Sequence, residues 1–144
     1  MSDDRNTWVM TTYVHQVIGE ARTELLDELA NQDMVDLAVV AAGGPTGIEG
    51  LRLHVNAAIA VMSDRSTDIK RIIASDDEVV AWWTVTGVHA APFLGVETTG
   101  RRFTVTAFSF FRMRDGRIAE YEFWVDALGS LQQLTGTAAP AVPG

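Results

Sequence analysis

At 144 residues the chain has the length of one ordinary domain, enough to bury a sizeable core and too short for two independent ones. Nineteen acidic against eleven basic residues leave a formal charge of −8, which repels a phosphate backbone and sets nucleic acid aside as a partner. The absence of cysteine excludes disulfides, thiolate nucleophiles and cysteine-ligated metals. No apolar run approaches the roughly 18 residues a membrane helix needs, and "MSDDRNTW" lacks the basic and apolar regions of a secretory signal, so a cytoplasmic protein is expected.

In chain order, Trp8, Thr12, Tyr13, Val17 and Ala21 recur near helical spacing, and Leu25, Leu26 and Leu29 form a second apolar cluster, which predicts two helices or one bent helix. Tyr13 and His15 lie two residues apart on that helix, so at most one of them faces a pocket, and Tyr13 fits the apolar stripe. A third helix is predicted over "PTGIEGLRLHVNAAIAVM", opened by a Thr46–Glu49 capping box and keeping Ile48, Leu51, Val55, Ile59 and Met62 on one face; His54 falls on its polar side. From residue 68 the period changes to two, and four strands follow in "DIKRIIAS", "EVVAWWTVTGVHA", "RFTVTAFSFFRMR" and "RIAEYEFWV". Asp115 and Gly116 supply a tight antiparallel turn between the last two. Asp126 then fits the N-cap of a final helix-like segment. Residues 1–134 are expected to form one folding unit, and residues 135–144, "TGTAAPAVPG", a frayed tail. Helices first and a strand meander afterwards predict an α+β domain, with helices on one face of a curved antiparallel sheet and a pocket between them.

The stretches "LLDELANQDMVD", "GGPTGIEGL", "DEVVAWWTVTGVHAAPFLGVETTGRRF" and "FRMRDGRIAEYEFWVDALGSLQQL" resemble, in order and spacing, the SnoaL-like polyketide cyclases. This family belongs to the superfamily of nuclear transport factor 2 and ketosteroid isomerase. The Thr86 to Gly95 motif, T-G-x-H-x-x-x-F-x-G, and the D-G-R-I-x-E run are its most specific parts. The resemblance implies a cone-shaped α+β barrel enclosing a pocket, a polyketide-like substrate, no metal or other cofactor, and an aspartate acting as acid and base in an intramolecular aldol closure. It also implies a homodimer.

Strand alternation sends Tyr121 and Phe123 inward on the last strand and Val105, Ala107, Ser109 and Phe111 inward on the one before. Aligned on the hairpin, the position where the cyclases keep their aspartate falls on Phe123, and further polar positions fall on Tyr121, Ala107 and Ser109. The usual acid is therefore missing. Asp36 matches a position where relatives place a polar residue facing the pocket; desolvation by apolar walls would suit it to proton transfer near neutral pH. Tyr121 and His89 are the other catalytic candidates, Tyr121 as a carbonyl donor and His89 because it shares parity with Trp83 inside the most specific motif. Ser109, Trp83, Phe123, Phe111, Ala107 and Tyr13 are expected to contact substrate. No H-x-H or H-x-x-x-H pair supports a metal. The sequence leaves open a cyclase, a related enzyme of epoxide opening, hydroxylation or isomerisation, and a small-molecule-binding module without turnover. Trp82, Phe108, Phe110 and Trp124 share the outward parity, a patch that predicts a homodimer through the outer sheet face.

Overall fold

The computed structural model describes residues 2–136 of the chain. Helix α1 (Ser2–Thr12) runs without a break into a π-helical turn, Tyr13–Ile18, in which the Gly19 N–H reaches the Val14 carbonyl five residues back at 3.1 Å. The wider turn lets Tyr13, Val14, Val17 and Ile18 all enter the core. A 3₁₀ turn (Thr23–Leu25) and the short α2 (Leu26–Leu29) lead into β1 (Ala30–Asp36), followed by α3 (Leu37–Ala41) and α4 (Ile48–Val61). The strands β2 (Met62–Ala74), β3 (Glu78–His89), β4 (Arg102–Arg114) and β5 (Arg117–Val125) precede α5 (Ala127–Thr135).

These five strands form one sheet in the order β1-β5-β4-β3-β2, antiparallel except for β1, which runs parallel to β5. Period-two patterning explains β2 to β5: β3 alternates Val79, Ala81, Trp83, Val85, Gly87 and His89 inward, and β4 alternates Phe103 through Met113. At the β4–β5 turn both Asp115 (φ 56°) and Gly116 (φ 72°) take the left-handed conformation that a two-residue hairpin demands. Gly87 is fixed by close approach, since a Cβ there would lie 2.5 Å from the Ser63 carbonyl oxygen on β2. The helices cover the inner face, and their side chains meet those of the sheet in one apolar core. This is the expected α+β architecture with a curved sheet packed on N-terminal helices.

Several local expectations need correction. Strand β1 was not expected, because "ANQDMVD" is polar and irregular; its register to β5 shifts between Ala30 and Val35, and the Asn31 side-chain amide helps stitch the edge by donating to the Arg114 carbonyl at 3.1 Å. Trp8 is exposed, with the Arg5 guanidinium 4.6 Å from its ring centre, and Ala21 is an exposed turn residue at φ 59°. The capping box on α4 does not form: Gly47, at φ 82°, takes the N-cap position, and Glu49 pairs with Arg52 instead. Met62 is buried as expected but opens β2. Asp126 caps α5 as expected, accepting the Gly129 N–H at 2.8 Å. Thr135 and Gly136, placed in the tail by sequence, end and cap that helix; residues 137–144 of the expected tail lie outside the described residues. On the outer face Trp82, Phe108 and Trp124 stand directly opposite one another across β3, β4 and β5, exposed by 43%, 47% and 69%. Phe110 is half-buried beside them.

Candidate active site

The parallel pairing of β1 with β5 sets Asp36 against Tyr121, one strand apart on the inner face. Asp36 ends β1 and caps α3, its Oδ1 accepting the Val39 N–H at 3.2 Å, and it is 1% exposed. Helix α4 crosses over β1 and brings His54 above it, so that Asp36 Oδ2 lies 2.7 Å from His54 Nδ1. A carboxylate accepts and does not donate, so Nδ1 carries the proton of the neutral ring and Nε2 keeps its lone pair. The imidazole stacks on the Tyr121 ring, with centroids 5.2 Å apart and planes 3° from parallel, and meets the Phe123 ring edge-on at 4.8 Å. An imidazole oriented by a carboxylate and held on two sides by aromatic rings is thereby fixed in both tautomer and direction.

Behind the imidazole lies a buried chain of hydrogen bonds. Trp83 Nε1 donates to Ser109 Oγ at 3.0 Å, Ser109 Oγ and the Tyr121 hydroxyl are 2.9 Å apart, and the Tyr13 hydroxyl donates to that of Tyr121 at 3.1 Å. Strand register explains the set, for Ser109 pairs with Ala81 on one side and Phe123 on the other, while Tyr13 descends from the π-helical turn. Burial pushes both tyrosine hydroxyls well above their ordinary ionisation range, and the charge of Asp36 adds to this. Both therefore stay neutral donors at any physiological pH. Phe111 packs edge-on against both tyrosine rings, at 5.2 and 5.0 Å, and completes the wall behind them.

Two spaces meet in front of this wall. An open mouth of about 470 Å³ lies between α3, α4 and the Pro92–Leu94 loop, and among the described residues on its lining His54 alone has a side chain that carries a polar group. Deeper in, a more enclosed chamber of about 110 Å³ is walled by Ile18, Met62, Trp83, Val85, Val105, Ala107 and Val125 among others. Ala58, Val61, Phe93 and Phe123 line both spaces and form the girdle between them.

Of the residues singled out by sequence, Trp83, Phe123 and Ala107 line these spaces and Asp36 and Tyr121 hold His54 beside them, whereas Tyr13, Ser109 and Phe111, expected to contact substrate, are packed in the buried network behind and line neither space. The Tyr121 hydroxyl is turned into the buried chain, and it is the face of its ring that meets His54. His89 is elsewhere: its Nδ1 accepts the Thr99 N–H at 3.1 Å and lies 2.9 Å from Thr99 Oγ1, tying the loop before β4 to the end of β3. His15 faces a separate polar hollow, 2.7 Å from Thr67 Oγ1. The sequence reading that set His54 on the polar side of its helix is corrected, since only 14% of its side chain is exposed and it is bonded to Asp36. The signal was present in the row Leu51, His54, Ala58 and Val61, which shares a face at i, i+3, i+7 and i+10 beside the more obvious apolar stripe. Among the described residues no three His, Asp or Glu side chains cluster as metal ligands would.

A curved sheet closed by helices around a pocket that carries a polar pair is the cone fold of the nuclear transport factor 2-like proteins. Residues 9–134 match the model of the SnoaL-like polyketide cyclases, and the chain belongs to that family. Nogalonic acid methyl ester cyclase of Streptomyces nogalater is 29% identical over 114 residues, covering 78% of this chain and 85% of that one. Among solved structures, TsrD from Streptomyces laurentii is similar with a TM-score of 0.79 at 26% identity, over 91% of this chain and 95% of that one. IdmH, a proposed polyketide cyclase from Streptomyces antibioticus, is similar with a TM-score of 0.74 at 27% identity, over 90% of this chain and 98% of that one.

Proposed function

We propose that this polyketide cyclase closes a ring in a polyketide-derived substrate without a cofactor, using His54 as general base and Asp36 as the residue that positions it. Neutral His54 takes a proton from a carbon flanked by two carbonyls. The resulting enolate carbon attacks a further carbonyl of the same molecule, a carbon–carbon bond forms as that C=O electron pair moves to oxygen, and the alkoxide takes the proton back from the imidazolium. No electron is gained or lost overall. The likeness to nogalonic acid methyl ester cyclase supports a polyketide ester as substrate. The observation that carries this reading is the 2.7 Å Asp36–His54 contact beneath a mouth on whose lining, among the described residues, His54 alone supplies a polar side chain.

His54→Gln keeps a hydrogen-bonding group of similar size but removes the base. Ring closure of nogalonic acid methyl ester, or of another polyketide β-dicarbonyl ester that the wild-type chain turns over, is expected to slow by about 10²- to 10⁴-fold with an unchanged circular dichroism spectrum. Turnover within threefold of wild type would remove His54 from the mechanism. We further propose that two copies associate through the outer sheet face, because the row Trp82, Phe108 and Trp124 exposes more contiguous aromatic surface than a solvated face carries. A monomeric mass in light scattering at micromolar concentration would contradict this.

A further inference from the structure

We propose that the chamber behind Phe123 is a size-selective subsite for an unfunctionalised apolar end group of the substrate, a short alkyl chain or a bare ring. Its filling would place the carbons that follow beneath His54. The second half of this statement rests on the reading of His54 as the base; the first half does not.

The chamber has a volume of about 110 Å³, more enclosed than the mouth, and its wall is almost wholly apolar. A somewhat larger apolar cavity, about 150 Å³, stays dry and accepts benzene, so a space of this size and lining holds apolar carbon in preference to water. The two polar side chains that touch it spend most of their donors elsewhere, and only the Arg65 Nη2 keeps its own. Trp83 spends its only N–H on Ser109, and Arg65 spends its Nε and Nη1 on the carbonyls of Ile18, Ile59 and Met62, at 2.7, 3.3 and 2.6 Å. Away from the Arg65 end, a hydroxyl or keto oxygen carried into the chamber would lose its water and gain no partner in exchange. The subsite therefore discriminates in two ways, rewarding each methylene that enters and rejecting an oxygenated terminus.

Position gives the chamber its consequence for the reaction. Ala58, Val61, Phe93 and Phe123 line both chamber and mouth, and Phe123 also meets the His54 ring at 4.8 Å. A molecule whose end group is seated in the chamber must pass this girdle and emerge under the imidazole. The chamber then acts as a stop, and the distance from the apolar terminus selects which carbon meets the base.

The test uses the full chain and a series of 2,4-diketones with unbranched tails of increasing length, with affinity read by titration calorimetry. Affinity is expected to rise about fourfold for each of the first few added methylenes and then to level off when the chamber is full. A hydroxyl at the tip of a tail that fits should weaken binding by roughly 5- to 150-fold. Ala107→Leu, which fills the chamber from β4, should abolish the dependence on tail length; should that variant not fold, the wild-type series decides alone. A flat series, or a hydroxyl-tipped tail that binds as tightly as the plain one, overturns the proposal. Turnover separates the two readings: if His54→Gln remains active while the diketone series holds, the base is wrong and the subsite stands, and a flat series with an inactive His54→Gln means the reverse.

Discussion

Asp36→Asn separates the two tasks of a single carboxylate. The Asn Oδ1 can still accept the Val39 N–H that Asp36 accepts at 3.2 Å, so the cap on α3 survives. The other atom, 2.7 Å from His54 Nδ1, becomes an NH₂ group that can only donate. His54 must then offer a lone pair at Nδ1 and carry its proton on Nε2, the tautomer that cannot accept a proton from substrate. The same exchange in the serine-protease triad costs about 10⁴ in kcat with the geometry kept. A fall of about 10²- to 10⁴-fold in kcat is therefore expected here, with a smaller change in KM. Stability should fall modestly: a charge-assisted hydrogen bond becomes a neutral one, a difference of about 1–2 kcal/mol, or roughly 3–6 °C in Tm for a chain of this size. The assay is steady-state ring closure alongside a thermal melt. A variant that melts lower yet cyclises at the wild-type rate would refute the dyad, and so would an activity loss that is recovered merely by assaying at lower temperature.

Tyr121→Phe deletes the hydroxyl that joins Ser109 to Tyr13 but leaves the ring on which His54 stacks, so stability should drop by about 1–3 kcal/mol while kcat stays within about tenfold. A loss of kcat as deep as that of His54→Gln would instead make the hydroxyl a direct proton donor. The chain has only two tyrosines, Tyr13 and Tyr121, and both are raised well above the ordinary value by burial. Because the folded state holds these protons more tightly than the unfolded one, their contribution is fully present below about pH 10 and is lost as pH rises above it, at about 1.4 kcal/mol per pH unit for each. Absorbance at 295 nm should stay flat through pH 10 and rise only together with loss of the folded circular dichroism signal; a tyrosine that ionises near pH 10 in the intact fold would contradict the buried network.

The strands were legible because their period is two and each parity places a whole set of side chains at once. Once Tyr121 was read as inward, Ser109, Ala107 and Phe111 followed, and all are buried. The Asp115–Gly116 turn was legible from residue chemistry, since few other pairs take two left-handed conformations in succession. Strand β1 was not, because its pairing depends on an already folded β5 and its own sequence carries three polar residues in a row, Asn31, Gln32 and Asp33. The inward turn of Asp36 depends on that strand. His54 was hidden for a different reason. A helix that touches both core and cavity has a broad inner arc, and an apolar-stripe reading finds only the part of the arc that meets core. Ala58 and Val61 mark the remainder, but small residues beside a histidine look the same whether they face a cavity or water.

The exchange of residues on the two walls of the pocket has a physical logic. The family resemblance places its usual aspartate at Phe123, on the sheet; here that position presents an apolar ring, and the pair proposed to handle the proton stands on β1 and α4. The two changes fit together because Phe123 meets the imidazole edge-on and also forms part of the girdle to the apolar chamber. A carboxylate at 123 would bring a charge to the rim of a space whose wall is almost wholly apolar, and burying a charge there without a bonded partner is costly. With the acid moved to Asp36, its two oxygens are met by the Val39 N–H and by His54, so the charge is satisfied outside the chamber. His54 is in turn held by Tyr121, whose hydroxyl is locked by Ser109 and Tyr13, with Trp83 closing the chain. The proposed base thus stands on a support whose rotamers are fixed by hydrogen bonds behind it, and orientation of that kind is a large contribution to rate.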